Sequence, residues 1–270
     1  MNLEKIKQIQ LNDGSFGPFH SMSYNSTFTT EKVLRRLMFL EIDKSNEVLY
    51  KILNYVEACL NRKIIIPDRV EKVIQWDNFI DLMFSSWLTI FDFPSEKKDL
   101  IKEKWANLIT QSITNFGFDY DLYKDNYQKT FGKLQGKRVL DPTNFYVVTL
   151  VKDMLPIDKS SLYFDYILEK GIYYIYSDSL LIRPNDFNSN KTMYYLYALK
   201  LAATYKKDSL FLKEIEKWIL SYRSQDGYWR LNKINTDGIL FPQSGSWRSK
   251  INKLNDLKKY LESILNSIRS

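Results

Sequence analysis

From Thr30 onward the apolar residues recur three and four positions apart: Val33, Leu34, Leu37, Met38 and Leu40 fall on one side of a helix. Thr29-Thr30-Glu31 ahead of them reads as the N-cap region, and Asp43-Lys44-Ser45 as the break behind. Val48, Leu49, Ile52, Leu53, Val56 and Leu60 make a second stripe. Two such helices on a short loop form an αα-hairpin, whose apolar faces need a further layer to cover them. The same period predicts helices over residues 68–91, from Pro94-Ser95 to 115, and over 122–134, 144–154, 160–176, 190–205, 209–223 and 250–267. The helix before residue 115 turns Leu100, Ile101, Trp105, Leu108 and Ile109 inward.

Between these stripes lie a turn cluster at Asn12-Asp13-Gly14-Ser15-Phe16-Gly17-Pro18 and a short extended connector at 63–67. A loop follows at 117–121, then a polar loop at 136–142, either disordered or lid-like, and a long loop over 231–247. No segment alternates as a strand does, so the expected class is all-α, in one domain over residues 1–270.

Composition narrows the function classes. Of 270 residues 44% are hydrophobic and 26% charged, enough for a real core, and only 9 Gly and 7 Pro argue against a turn-rich β fold. The net charge of +7 is spread among acidic residues, as in Glu96-Lys97-Lys98-Asp99, which reads as solvated helix faces and not as a nucleic-acid patch. Cys59 is the only cysteine, which rules out an intramolecular disulfide. Met1-Asn2-Leu3-Glu4-Lys5 carries no apolar signal stretch, and the apolar window 79–91 is short and holds Asp81. No transmembrane segment and a cytoplasmic location are expected.

Two segments echo each other. Gln10-Leu11-Asn12-Asp13-Gly14-Ser15-Phe16 precedes the first helix pair, and Ser224-Gln225-Asp226-Gly227-Tyr228-Trp229 follows Trp218-Ile219-Leu220. In each, Gly permits a positive φ, Asp caps an amide, and an aromatic ring folds back on the helices. These turns resemble the repeat motif of squalene-hopene cyclases and related prenyltransferases. That resemblance implies an α/α-toroid, or incomplete α/α barrel, of antiparallel helix pairs. Phe19-His20-Ser21-Met22 and Ser244-Gly245-Ser246-Trp247-Arg248 extend it to a bacterial branch of that superfamily. The Asp-x-Asp-Asp run with which such cyclases protonate their substrate is absent, and one Cys with one His does not complete the usual zinc sets.

His20, the sole histidine, is the first candidate for acid–base chemistry, or else a loop residue bonded to backbone. The adjacent Ser21 lacks the Gly-x-Ser-x-Gly surroundings of a nucleophile elbow. Asp77 and Asp81 share a helix face and are the second candidate, as a thin version of the carboxylate motifs that hold Mg²⁺ for a diphosphate. Asp119, Asp121 and Asp125 either bind a cation or cap a loop. Tyr174 and Tyr195, from the runs Tyr173-Tyr174-Ile175-Tyr176 and Tyr194-Tyr195-Leu196-Tyr197, are candidate ligand-binding rings or core. Trp229, Arg230, Trp247 and Arg248 complete the set, as a basic-aromatic rim for an anionic ligand.

The resulting expectation is a small hydrophobic or anionic, isoprenoid-like ligand in a central aromatic-lined cavity, with Mg²⁺ present if a diphosphate is bound. The alternatives are a non-catalytic scaffold for a protein partner, or a lyase- or hydrolase-like toroid that binds sugars.

Overall fold

The computed structural model describes residues 3–20, 28–206, 208–237 and 240–269. It is mostly helical, with 55% helix and 4% strand and eleven α-helices among the described residues, so the all-α expectation holds. The chain divides into two compact units, residues 1–114 with 119–154, and residues 115–118 with 155–270.

The first unit contains α1 (Leu3–Ile9), α2 (Thr30–Phe39), α3 (Glu47–Leu60), α4 (Trp76–Ile90), α5 (Glu96–Gln111), the two-residue strand β1 (Ile113–Thr114), α6 (Tyr120–Phe131) and α7 (Phe145–Leu150). Side-chain oxygens start most of these helices. Thr29 accepts from Lys32 N, Asn46 from Val48 N, Ser95 from Lys98 N, Asp119 from Leu122 N and Asn144 from Tyr146 N. Every residue of α4 from Phe79 to Leu88, Asp81 excepted, is buried. A helix apolar on all sides must be central. Accordingly α4 packs against α3, α5 and α7. The Ser86 hydroxyl lies 2.7 Å from the carbonyls of both Leu82 and Tyr146, which ties α4 to α7.

Three elements of this unit depart from the periodicity. α4 begins at Trp76 and not near residue 68, because Asp68 turns its carboxylate to another segment and Ile74 pairs in a parallel bridge with Arg138. The connector therefore runs from residue 61 to 75. α7 is only six residues long, and Asp153 with φ 63 bends the chain soon after it. α1, ahead of the turn cluster and not expected as a helix, buries only Ile6 and so leaves almost no periodic trace.

The second unit contains the two-residue β2 (Gly117–Phe118), α8 (Ile157–Lys170), α9 (Asn190–Ala202) with a 3-10 turn (Ala203–Tyr205), α10 (Leu210–Ser221) and α11 (Lys250–Arg269). α9 packs on α8 and α11, and α10 on α11. α8 stops at Lys170 and not at 176: Gly171 has φ 77, and a Cβ there would sit 2.3 Å from the Tyr176 carbonyl oxygen. The chain instead makes a tight hairpin, with Ile172 and Tyr176 exchanging both backbone bonds. The loop expected over 231–247 is helix-free among its described residues, but it is pinned. Asp256 of α11 accepts from Ser244 N and Oγ and from Trp247 Nε1, and Lys253 Nζ donates to the carbonyls of Asn232 and Ile234.

Both Asp-Gly turns brace helices. Gln10 Nε2 donates to Gly14 O and to Val48 O, each at 3.0 Å, and so fastens the first turn to the start of α3. Gly14, at φ 91, lies so close to α3 that a Cβ would stand 2.4 Å from Lys51 O. In the later turn the fully buried Trp229 donates its indole N–H to Ile219 O of α10 at 2.8 Å.

Gly14→Ala adds a left-handed residue and forces the turn off α3, so it should destabilise the protein by about 2–5 kcal/mol. Gly17→Ala has the same φ but meets nothing within 4 Å. It should cost only about 1–2 kcal/mol. Urea unfolding of the two variants checks this, and equal losses would contradict the bracing role of Gly14.

Candidate functional site

A helix N-terminus presents amides with no partner inside the helix. At α2, Thr30 N donates to Pro18 O at 2.9 Å and Glu31 N to Phe19 O at 3.0 Å, so residues 18–20 lie against its first turn. Thr30 Oγ1 also accepts from Phe16 N. This docking brings the His20 ring beside Glu31. Nδ1 lies 2.7 Å from Glu31 Oε2 and 3.2 Å from the Tyr146 hydroxyl, which donates to Glu31 Oε1 at 2.5 Å. One carboxylate thus receives a histidine N–H on one oxygen and a phenol O–H on the other. Arg35, one turn along α2, stands 3.4 Å from Glu31 Oε1, with its guanidinium over the Phe145 ring at 4.9 Å and the Trp87 ring at 5.8 Å.

Glu31 is nearly excluded from water, whereas the His20 side chain keeps 24% of its surface. Aromatic rings wall the site. Phe79 meets His20 edge-on at 5.5 Å and Tyr146 at 5.8 Å, and Trp76, only partly buried, packs on Phe79 at 5.7 Å. Behind His20, Asp68 accepts from Phe19 N at 2.6 Å and His20 N at 2.7 Å.

Burial pushes the His20 imidazole down, but the Glu31 hydrogen bond and the charges of Glu31 and Asp68 outweigh it, so its pKa stands above the usual 6.5. Burial pushes the Glu31 carboxyl up. The bond from His20, the Arg35 charge and the Tyr146 hydroxyl reverse this, and it stands below 4.5. The pairing therefore favours an imidazolium bound to a carboxylate, with Nδ1 facing Glu31 and Nε2 on the far side of the ring.

The other expected residues fall elsewhere. Asp77 and Asp81 do share a face, but cations occupy it. Arg62 lies 2.8 Å from Asp81 and 3.8 Å from Asp77, and Lys97 is 3.8 Å from Asp81. Arg62 also donates to the carbonyls of Cys59 and Leu60, so the group latches the end of α3 to α4. Burial raises the Asp81 carboxyl above its usual value, against the pull of Arg62 and Lys97. Asp119 caps α6 and Asp121 pairs with Lys124, which is the loop-capping alternative. Among the described residues no group of three or more His, Cys, Asp or Glu is placed to hold a metal ion.

Tyr195 is fully buried, its hydroxyl donating to Leu180 O, and is a core side chain, as is Trp229. Arg230 makes a two-pronged pair with Asp226 in the brace turn. Trp247 is held by Asp256, and Arg248 is exposed, with its amide on Ser246 Oγ. Tyr174 sits at the tip of the 172–176 hairpin, 43% exposed at φ 75, its ring 4.4 Å from that of Tyr173. These residues belong to several local structures: the α9 core, the 224–230 turn, the pinned loop ahead of α11 and the 172–176 hairpin. Ser21 lies outside the described residues.

Sequence reasoning found His20 but missed Glu31, Arg35, Asp68 and Tyr146. One signal was present: Glu31 and Arg35, four apart, share the helix face of Leu34 and Met38, where a charge pair is out of place unless buried for a reason. No known family model matches this chain, and no curated protein or solved structure matches it either.

A histidine whose folded pKa lies above 6.5 adds stability that is complete below that pH and disappears as pH rises through the folded value. A glutamate whose folded pKa lies below 4.5 adds stability present above that pH and lost as pH falls through its folded value. The two overlap fully between pH 4.5 and 6.5. His20→Gln should therefore cost about 1.5–3 kcal/mol in that window, the worth of a charged hydrogen bond, and less at pH 9. Unfolding midpoints of wild type and variant from pH 4 to 9 test this. A gap that stays constant with pH would refute the ion pair.

Proposed function

We propose that His20, Glu31 and Tyr146 form a proton-handling centre and that the protein binds, and transfers a proton to or from, a small molecule with an apolar body. The observation that carries this reading is the Glu31 carboxylate, nearly excluded from water, gripping Nδ1 of a histidine that is itself partly open. Burying a carboxylate is costly, and holding one against a histidine ring fixes which nitrogen carries the proton. In this reading Glu31 orients the imidazole and favours its charged form. Nε2 is the atom that gives up or takes the proton, and Tyr146 holds the second carboxylate oxygen. Phe79 and Trp76 supply a wall suited to hydrocarbon.

Isoprenoid-like molecules come first among the ligands, on the strength of the resemblance of the two bracing turns. The α/α-toroid arrangement belongs to the same proposal, supported by the helical content and by those turns. A cytoplasmic location suits the buried free thiol of Cys59.

A second reading has its own support. The same contacts tie residues 18–20 to α2 and α7, so the cluster would serve as a latch in a non-catalytic scaffold. A thermal-shift panel separates the two, with prenyl diphosphates with and without Mg²⁺, neutral and acidic oligosaccharides, and divalent metals alone. A ligand at a hundred times its dissociation constant stabilises by about 2.7 kcal/mol, a shift of several degrees. The expected result is a shift with an isoprenoid ligand that shrinks in His20→Gln. Shifts of equal size in the variant, or none with any ligand, would sink the proton-handling reading and leave the latch.

A further inference from the structure

Residues 18–20 are gripped from two sides. Their carbonyls receive the first amides of α2, Thr30 N on Pro18 O and Glu31 N on Phe19 O. Their amides are taken by a single side chain, since the two oxygens of Asp68 accept from the consecutive Phe19 and His20 N–H groups at 2.6 and 2.7 Å. Asp68 belongs to neither helix of the site. It comes from the connector between α3 and α4, 48 residues from His20 in sequence. Phe19 is fully buried against Phe84, with rings 4.8 Å apart, so its amide has little water to turn to. The α2 amides alone would hold the segment by its carbonyl edge and leave it able to roll. A carboxylate on the opposite edge stops the roll, and with it the swing of the His20 ring away from Glu31 Oε2 and the Tyr146 hydroxyl.

We infer that Asp68 is the positioning residue of this centre, clamping the Phe19 and His20 amides so that the imidazole meets Glu31 and Tyr146 through Nδ1. This rests on the reading of His20 as the proton-handling group. In this role Asp68 accepts from the backbone of Phe19 and His20 and acts through His20.

The chain has one histidine, so ¹⁵N-histidine labelling gives one pair of ring signals and reads the centre without a substrate. The spectrum is taken above the titration of the ring, where the tautomer reports geometry. The wild type is expected to hold its proton on Nδ1, donated to Glu31. Asp68→Ala removes both acceptors and should release the ring to a mixture of tautomers. Asp68→Asn keeps one acceptor oxygen and should give a partial loss.

Near-UV circular dichroism confirms that each variant is folded, and Asp68→Asn decides if the alanine variant is not. Retention of the full wild-type tautomer in a folded variant overturns the positioning role, even if the melting temperature falls. A wild-type ring that is already mixed, or protonated on Nε2, refutes instead the parent reading of the centre, and this inference with it.

Discussion

The first unit is organised around one buried charge. Glu31 sits in the opening turn of α2, almost out of water, and its carboxyl is nevertheless held in the ionised form. A lone carboxylate at such a position would take up a proton or leave the interior. It stays because three donors converge on it from three places: His20 from the N-terminal segment, Tyr146 from α7, and Arg35 from the next turn of α2. Each donor in turn fixes the element that carries it. The segment at 18–20 cannot slide along α2 without placing another residue where His20 stands. α7 cannot rotate without withdrawing the phenol. Six residues would make a marginal helix alone, and α7 is held by this bond and by the Ser86 contact to the Tyr146 carbonyl.

An apolar set of similar volume would fill the same space at equal or greater stability, since buried ion networks are often neutral or unfavourable against hydrophobic replacements. The surroundings show that such packing was within reach. Phe19, Phe79, Phe84, Trp87 and Phe145 are all buried within the same unit, and Arg35 lies over two of these rings. A stretch able to build that core had no steric need for Glu31 and His20. On the proposed reading they are present for what an oriented imidazole does, and the partial exposure of His20 beside the near-complete burial of its partner supports that reading.

Helix positions were legible wherever burial follows the 3.6-residue period. Thr29 as a cap, the stripes of α2 and α3 and the break between them all stand where the pattern put them. Boundaries failed where a tertiary contact overrides local preference. Asp68 is drawn to the Phe19 and His20 amides, so α4 starts late, and a carbonyl close to Gly171 ends α8 early. The site was half legible for the same reason. His20 stands out by chemistry alone. Its partners lie 11 positions away in Glu31 and 126 away in Tyr146, on helices whose sequences read as ordinary amphipathic stretches. Asp77 and Asp81 show the converse. Their shared face follows from spacing, but the cations that neutralise it arrive from the end of α3 and from α5, which spacing within α4 cannot reveal.

The bracing turns and the His20–Glu31–Tyr146 cluster are separable, and that separation decides how far the family resemblance reaches. Each compact unit holds one of these two turns, and each fastens itself to a helix by a side-chain donor on a backbone carbonyl: Gln10 on Val48, Trp229 on Ile219. The side chains of these turns are spent on backbone or on each other, as Arg230 is on Asp226. A motif of that kind speaks to how helices are joined and is indifferent to what is bound between them. The cluster at His20 uses no side chain from either turn, residues 10–16 or 224–229. Its chemistry would survive on another helical scaffold that kept Glu31 dry and His20 open, and the turns would brace this one equally well without it.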